Sequence, residues 1–137
     1  MSNSTIIFDP LRKKNVALTE EEKVRQWFIS ILNEGCKVPY HMMMSEVGMK
    51  YGAEGKIFRA DIVVYRRDLS PVAIVECKRP DVELTEKVLE QALRYSMVLP
   101  SRYFILTNGS RTLAAEKKDG QVTMIDKIPE YSELCQQ

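Results

Sequence analysis

Two stretches decide the fold: Ala60-Asp61-Ile62-Val63-Val64-Tyr65 and, after a polar break, Val72-Ala73-Ile74-Val75-Glu76-Cys77-Lys78. Both are short β-branched runs, and the segment Arg66–Pro71 between them reads as a loop, so together they predict an antiparallel hairpin. With that loop, Tyr65 faces Val72, and counting back along both strands sets Asp61 directly opposite Glu76. Opposed residues have Cβ atoms about 5 Å apart, where two carboxylates repel unless something positive lies between them. Lys78 is two residues beyond Glu76, so the strand period puts both on one face. A divalent cation relieves the repulsion, and an all-oxygen set of this kind suits Mg²⁺ or Mn²⁺. The competing reading of the same residues is a cross-strand ion pair on a sheet surface, and a one-residue slip in register separates them.

Working outward, a helix is expected from Thr19, whose spacing to Glu22 is that of a capping box. Val24, Trp27, Phe28, Ile31 and Leu32 follow at helical intervals, and Gly35 is placed to end the helix. His41 to Tyr51 reads as a strand and Gly52 to Gly55 as a turn. A second helix follows Thr85, with Val88, Ala92, Tyr95 and Leu99 along one face. Tyr103–Thr107 is a further strand, broken by Asn108-Gly109. Weaker strands at Thr112–Lys117 and Gln121–Ile125 flank a turn at Asp119-Gly120. That order describes a mixed α/β sheet with helices packed on it.

The chain has 137 residues, 45% hydrophobic and 28% charged, the size and balance of one ordinary globular domain, residues 1–137. Its net charge of +1 means that any DNA contact rests on a local patch rather than on the overall field. Three scattered cysteines, Cys36, Cys77 and Cys135, make neither a zinc site nor a disulfide framework. Met1 to Phe8 lacks the pattern of a signal peptide, and no apolar run approaches the roughly 18 residues of a membrane span. A reducing cytoplasm is the expected compartment.

Ala60-Asp61 followed by Glu76-Cys77-Lys78 resembles the PD-(D/E)xK nuclease motif, and more narrowly the N-terminal nuclease domain of type I restriction enzyme R subunits. Other stretches fit the same family: Phe8-Asp9-Pro10-Leu11-Arg12, Leu18-Thr19 leading into Val24-Arg25-Gln26, and Tyr103 to Gly109. The resemblance spans about Phe8 to Tyr131. It implies a restriction-endonuclease-like fold and a metal-dependent endonuclease acting on DNA. Asp61 and Glu76 are then metal ligands, and Lys78 orients water or offsets charge on the phosphate. A Q-x-x-x-Y element, Gln91 to Tyr95, accompanies such nucleases beside an ATP-driven motor. Its amide is expected to turn toward the sheet as a supporting catalytic residue. The family also gives an acidic residue of the first helix a place by the metal; Glu22 matches, although it serves equally as the capping-box partner of Thr19.

Two departures stand out. Ala60 replaces the motif's proline. No phosphate loop of the form G-x-x-x-x-G-K-[ST] is present, so translocation falls to a helicase or translocase partner and other restriction subunits. The chain is then a fragment of an R subunit or a stand-alone relative. The rival reading is a catalytically silent nuclease-like module for DNA binding or assembly. Arg79, beside Lys78, and Tyr95 are candidate nucleic-acid contacts, whereas Arg66 and Arg67 at the far end of the hairpin read as solvated loop charges. His41, the sole histidine, reads as a packing or surface residue. Cys77 alternates away from Glu76 and is expected in the core.

Overall fold

The computed structural model of the chain describes residues 5–136. Met1–Ser4, on which part of the signal-peptide reading rests, lie outside them. The chain opens with a small hairpin, β1 (Ile6–Asp9) and β2 (Lys14–Ala17), which the sequence pattern does not announce. Helix α1 (Glu20–Ser30) follows, and its last turn widens into a π-helical Ile31–Gly35. Strands β3 (Met43–Tyr51), β4 (Lys56–Tyr65) and β5 (Pro71–Cys77) lead to helix α2 (Glu86–Val98). Strands β6 (Tyr103–Thr107), β7 (Thr112–Lys118) and β8 (Gln121–Ile125) and a short helix α3 (Tyr131–Leu134) complete the order.

The six strands β3 to β8 form one sheet in sequence order. Every neighbouring pair is antiparallel except β5 and β6, which run parallel because α2 carries the chain back between them. Both helices lie where the apolar spacing puts them. Val24, Phe28 and Ile29 of α1 and Leu32 of the π-helical turn pack with Ile62, Val64, Ala73, Val75 and Cys77 on one face of the sheet. Val88, Ala92 and Tyr95 of α2 pack against Val63, Ile74, Phe104 and Leu106 on the other. The result is the expected mixed α/β fold: helix, sheet, helix. Among the described residues no helix is long and apolar enough to cross a membrane.

One feature of β3 and β4 positions the site. Ser45 pairs with Ile62 and Val47 with Ala60, but the intervening pair, Glu46 and Asp61, drops out of the ladder. Glu46 there has φ +55°, in the left-handed region. The alternation of faces shifts by one at this point in both strands. Met43, Ile62 and Val64 face α1, whereas Met49, Phe58 and Ala60 join Val63 on the α2 side. A strict period of two would keep all even residues of β4 on one face. The kink breaks that rule at Glu46 and Asp61.

The predicted hairpin needs one correction. Ile62 pairs with Val75, Val63 with Ile74 and Val64 with Ala73, the expected register. Tyr65, however, pairs with Pro71 rather than Val72, across a bulge after Val64. The loop is Arg66–Ser70, tied by Arg66 N–H to Ser70 O at 2.8 Å, and Leu69 takes φ +70°. The bulge absorbs the extra residue, so the register nearer the site is unchanged.

Candidate active site

Asp61 and Glu76 stand one step beyond the Ile62–Val75 pair, where β5 comes to its end. Asp61 is held from two sides. The Cys77 N–H donates to its Oδ2 at 2.7 Å, and Arg25 Nη2 donates to its Oδ1 at 3.2 Å. Burial pushes the Asp61 carboxyl above its ordinary value, with the Cys77 N–H and the Arg25 charge pulling the other way. Glu76 continues the α2 side of β5, and Lys78 Nζ lies 3.3 Å from its Oε1. Lys78 is just past β5, pinned by its own N–H to Thr107 O at 2.8 Å. The three side chains keep partial access to solvent, 14%, 22% and 33% exposed for Asp61, Glu76 and Lys78. Cys77 is 3% exposed and turned into the core beneath α1, as alternation requires.

Asp61 and Glu76 are hard oxygen donors reached by solvent, with the one nearby thiol turned away. That donor chemistry fits Mg²⁺ or Mn²⁺, ions that keep several waters and take one or two protein carboxylates. Glu22 makes no hydrogen bond or ion pair with Glu76 or Lys78: its Oε1 accepts from Arg12 Nη2 at 2.8 Å and its Oε2 from Gln26 Nε2 at 3.0 Å, and it meets Asp61 only through Arg25, which pairs with both. Nor does its carboxylate complete a capping box: Thr19 accepts from the Glu22 N–H at 3.1 Å, but the reciprocal bond is replaced by these contacts. Among the described residues, no three His, Cys, Asp or Glu side chains converge as a ready-made metal cluster.

What the spacing did not foresee is a buried network beneath the site. Arg12, from the β1–β2 connection, pairs with Asp9, Glu22 and Glu46. Arg25 of α1, its side chain only 6% exposed, reaches Glu22, Glu46 and Asp61. The kink at Glu46 brings this carboxylate into the network. Asp9 is fully buried; burial alone would raise its carboxyl, but Arg12, the Leu11 N–H and Gln26 together hold it below the ordinary value. Phe8–Arg12 and Val24–Gln26 carried only a family likeness in the sequence. A charged residue at a core-facing helical position, as Arg25 is beside Val24 and Phe28, was the available signal.

Gln91 is also placed otherwise than expected. It is exposed on α2 rather than turned to the sheet, lining a shallow groove with Tyr51, Lys56, Arg94 and Tyr95. Tyr95 occupies the sheet-facing position, its ring 4.6 Å from Phe58 and 6.0 Å from Tyr51. Arg79 is exposed and paired with Asp81 at 3.2 Å. Arg66 is no free loop charge; it binds Ser70 Oγ and Pro71 O.

Residues 20–129 match the family model described as type I restriction enzyme R protein N terminus. The chain belongs to this family. A fragment structure of a candidate HsdR subunit of a type I restriction enzyme from Vibrio vulnificus YJ016 aligns with TM-score 0.58 and 22% identity. The alignment covers 85% of this chain but 24% of that one, so the chain spans about a quarter of that relative. A candidate nuclease of the DUF820 group from Anabaena variabilis ATCC 29413 aligns with TM-score 0.52 and 13% identity, covering 96% of this chain and 84% of that one. At these identities the likeness establishes the restriction-endonuclease-like fold. No curated protein sequence matches the chain.

Proposed function

We propose that residues 1–137 form a Mg²⁺- or Mn²⁺-dependent endonuclease domain that hydrolyses phosphodiester bonds of DNA, as the nuclease part of a type I restriction R subunit. The observation that carries this reading is the end of β5. There Asp61 accepts from the N–H of Cys77, the residue after Glu76, at 2.7 Å, and Lys78 Nζ lies 3.3 Å from the Glu76 carboxylate. Asp61 and Glu76 would hold the ion, which when bound polarises a phosphate oxygen and lowers the pKa of a coordinated water. The Cys77 N–H and Arg25 fix the Asp61 carboxylate in one orientation before substrate arrives. Lys78, a partly exposed ammonium, orients a water for attack or offsets charge growing on the phosphate. Arg79 would exchange Asp81 for a backbone phosphate, a contact that positions DNA without reading its sequence. Gln91, exposed beside Tyr95, then serves the DNA-facing groove rather than the metal. A motor and other restriction subunits would be the partners, and the cytoplasm the site of action.

A second reading draws on one observation. Asp61 Oδ1 already accepts from a buried guanidinium, as suits a nuclease-like module that binds DNA or partners without cutting. Plasmid cleavage measured against Mg²⁺ and Mn²⁺, for wild type and Lys78→Ala, tests the first reading. Metal-dependent cleavage lost in the variant supports it. Calorimetric metal binding that requires Asp61 and Glu76 but yields no cleavage points to a site that needs its partner subunits. Neither binding nor cleavage leaves the second reading.

A further inference from the structure

We infer that Arg25 fills the position of a second divalent cation, so that the site takes one metal ion rather than two. The inference rests on the metal-site reading above and concerns how many ions that site admits.

Four carboxylates surround the Arg25 guanidinium. Nη2 lies 3.2 Å from Asp61 Oδ1 and 3.9 Å from Glu21 Oε1; Nη1 lies 3.3 Å from Glu46 Oε1 and 3.5 Å from Glu22 Oε1. They come from α1, β3 and β4, so the convergence is made by the tertiary fold and by the kink at Glu46. A surface arginine meeting chance neighbours would keep its free N–H groups in water. Here Nε and Nη1 are buried without a hydrogen bond in proper geometry, so the group is held by its charge more than by directed bonds. Its removal would leave Asp61, Glu21, Glu22 and Glu46 facing one another, with Arg12 alone as counter-ion to Glu22 and Glu46.

Like charges so placed must protonate, move apart or recruit a cation. Glu21 and Glu46 are about half exposed and free to swing inward by the ångström or two that metal–oxygen distances near 2.1 Å require. Asp61 is the shared member: Arg25 binds its Oδ1 on the α1 side, and the N–H of Cys77, next to Glu76 in β5, binds its Oδ2.

The test is to count bound Mn²⁺ by calorimetry and electron paramagnetic resonance in the whole chain. One ion is expected for wild type, two for Arg25→Met, one for Arg25→Lys, and one again for Arg25→Met combined with Glu46→Gln. One ion in both wild type and Arg25→Met overturns the inference and leaves the Asp61–Glu76 site standing. None in wild type but one in Arg25→Met does the reverse: the counter-ion role holds and the Asp61–Glu76 site falls. Should Arg25→Met not fold, wild type alone decides, since a spin-coupled Mn²⁺ pair overturns the inference and an isolated six-line spectrum supports it.

Discussion

Replacing Arg12 with methionine keeps most of the stem of the side chain and removes its charge from Asp9, Glu22 and Glu46. Asp9 is fully buried, and Glu22 nearly so. Removing one partner of a buried ion pair leaves an uncompensated charge, at a cost of about 3–5 kcal/mol. With an unfolding entropy of about 2.1 cal/mol/K per residue, that corresponds to a fall in Tm of about 10–17 °C for a chain of this length. The pH dependence also reverses. In wild type the Asp9 carboxyl is held below its ordinary value, so its stabilising contribution is present above about pH 4 and is lost only as pH falls further. In the variant burial dominates and raises the carboxyl, so stability is lost as pH climbs through the acid range instead. Urea denaturation followed by circular dichroism at about pH 7 and about pH 4.5 reads both effects. The difference between the two proteins should be largest at neutral pH and shrink in acid. A difference under about 1 kcal/mol at pH 7, or one independent of pH, would refute the reasoning.

Burial raises the Tyr131 hydroxyl to about 12, and the group donates to Tyr65 O at 2.7 Å. A raised acid stabilises below its unfolded value, so stability should be full below about pH 10 and decline toward pH 12. Tyr131→Phe should lose that alkaline slope and cost about 1 kcal/mol at neutral pH; an unchanged slope in alkaline denaturation tells against the assignment. Cys36 and Cys77 are buried thiols raised by burial, whereas Cys135 is only half-buried. Timed titration with a thiol reagent should therefore show one fast thiol, absent in Cys135→Ser, and two that react only on unfolding. Gly109 holds φ +92°, and an added Cβ would sit 3.4 Å from Val24 Cγ2. Gly109→Ala should cost about 1 kcal/mol or more in thermal melts, through backbone strain rather than a clash.

The hairpin was legible because its two strands are bounded by residues that sheets exclude, and the loop length gave the register that the Ile62–Val75, Val63–Ile74 and Val64–Ala73 pairs follow. Strand β6 and the Asp119-Gly120 turn were legible for similar reasons, the turn now showing positive φ at both residues. The β1–β2 hairpin was not. It is four residues a side, half exposed, and held to the body by Arg12 rather than by an apolar stripe. The bulge at Tyr65 left no mark either, since Pro71 reads as the end of the loop and instead begins β5 as the partner of Tyr65. Of the candidate site, the nearness of Glu76 and Lys78 could be read by alternation along β5, whereas the pairing of Asp61 with Arg25 could not. Arg25 and Glu46 could not, because their meeting depends on a backbone kink that a period of two cannot express. Gln91 was placed wrongly because helical spacing assigned it to an apolar face whose edge it occupies.

That kink gives the sheet a joint. Beyond Glu46 and Asp61, the outer halves of β3 and β4 run past the end of β5 as a two-stranded arm, with its tip at Gly52–Gly55. The arm rests on α2 through Phe58 and Tyr95, while the inner halves belong to the layer under α1. Asp61 is the pivot residue between the two bodies. Whatever bears on the arm would turn it about Asp61, the residue held by Arg25 and the Cys77 N–H. Occupancy of a surface about five strand residues, or roughly 16 Å, away would then be felt as an angle at one carboxylate.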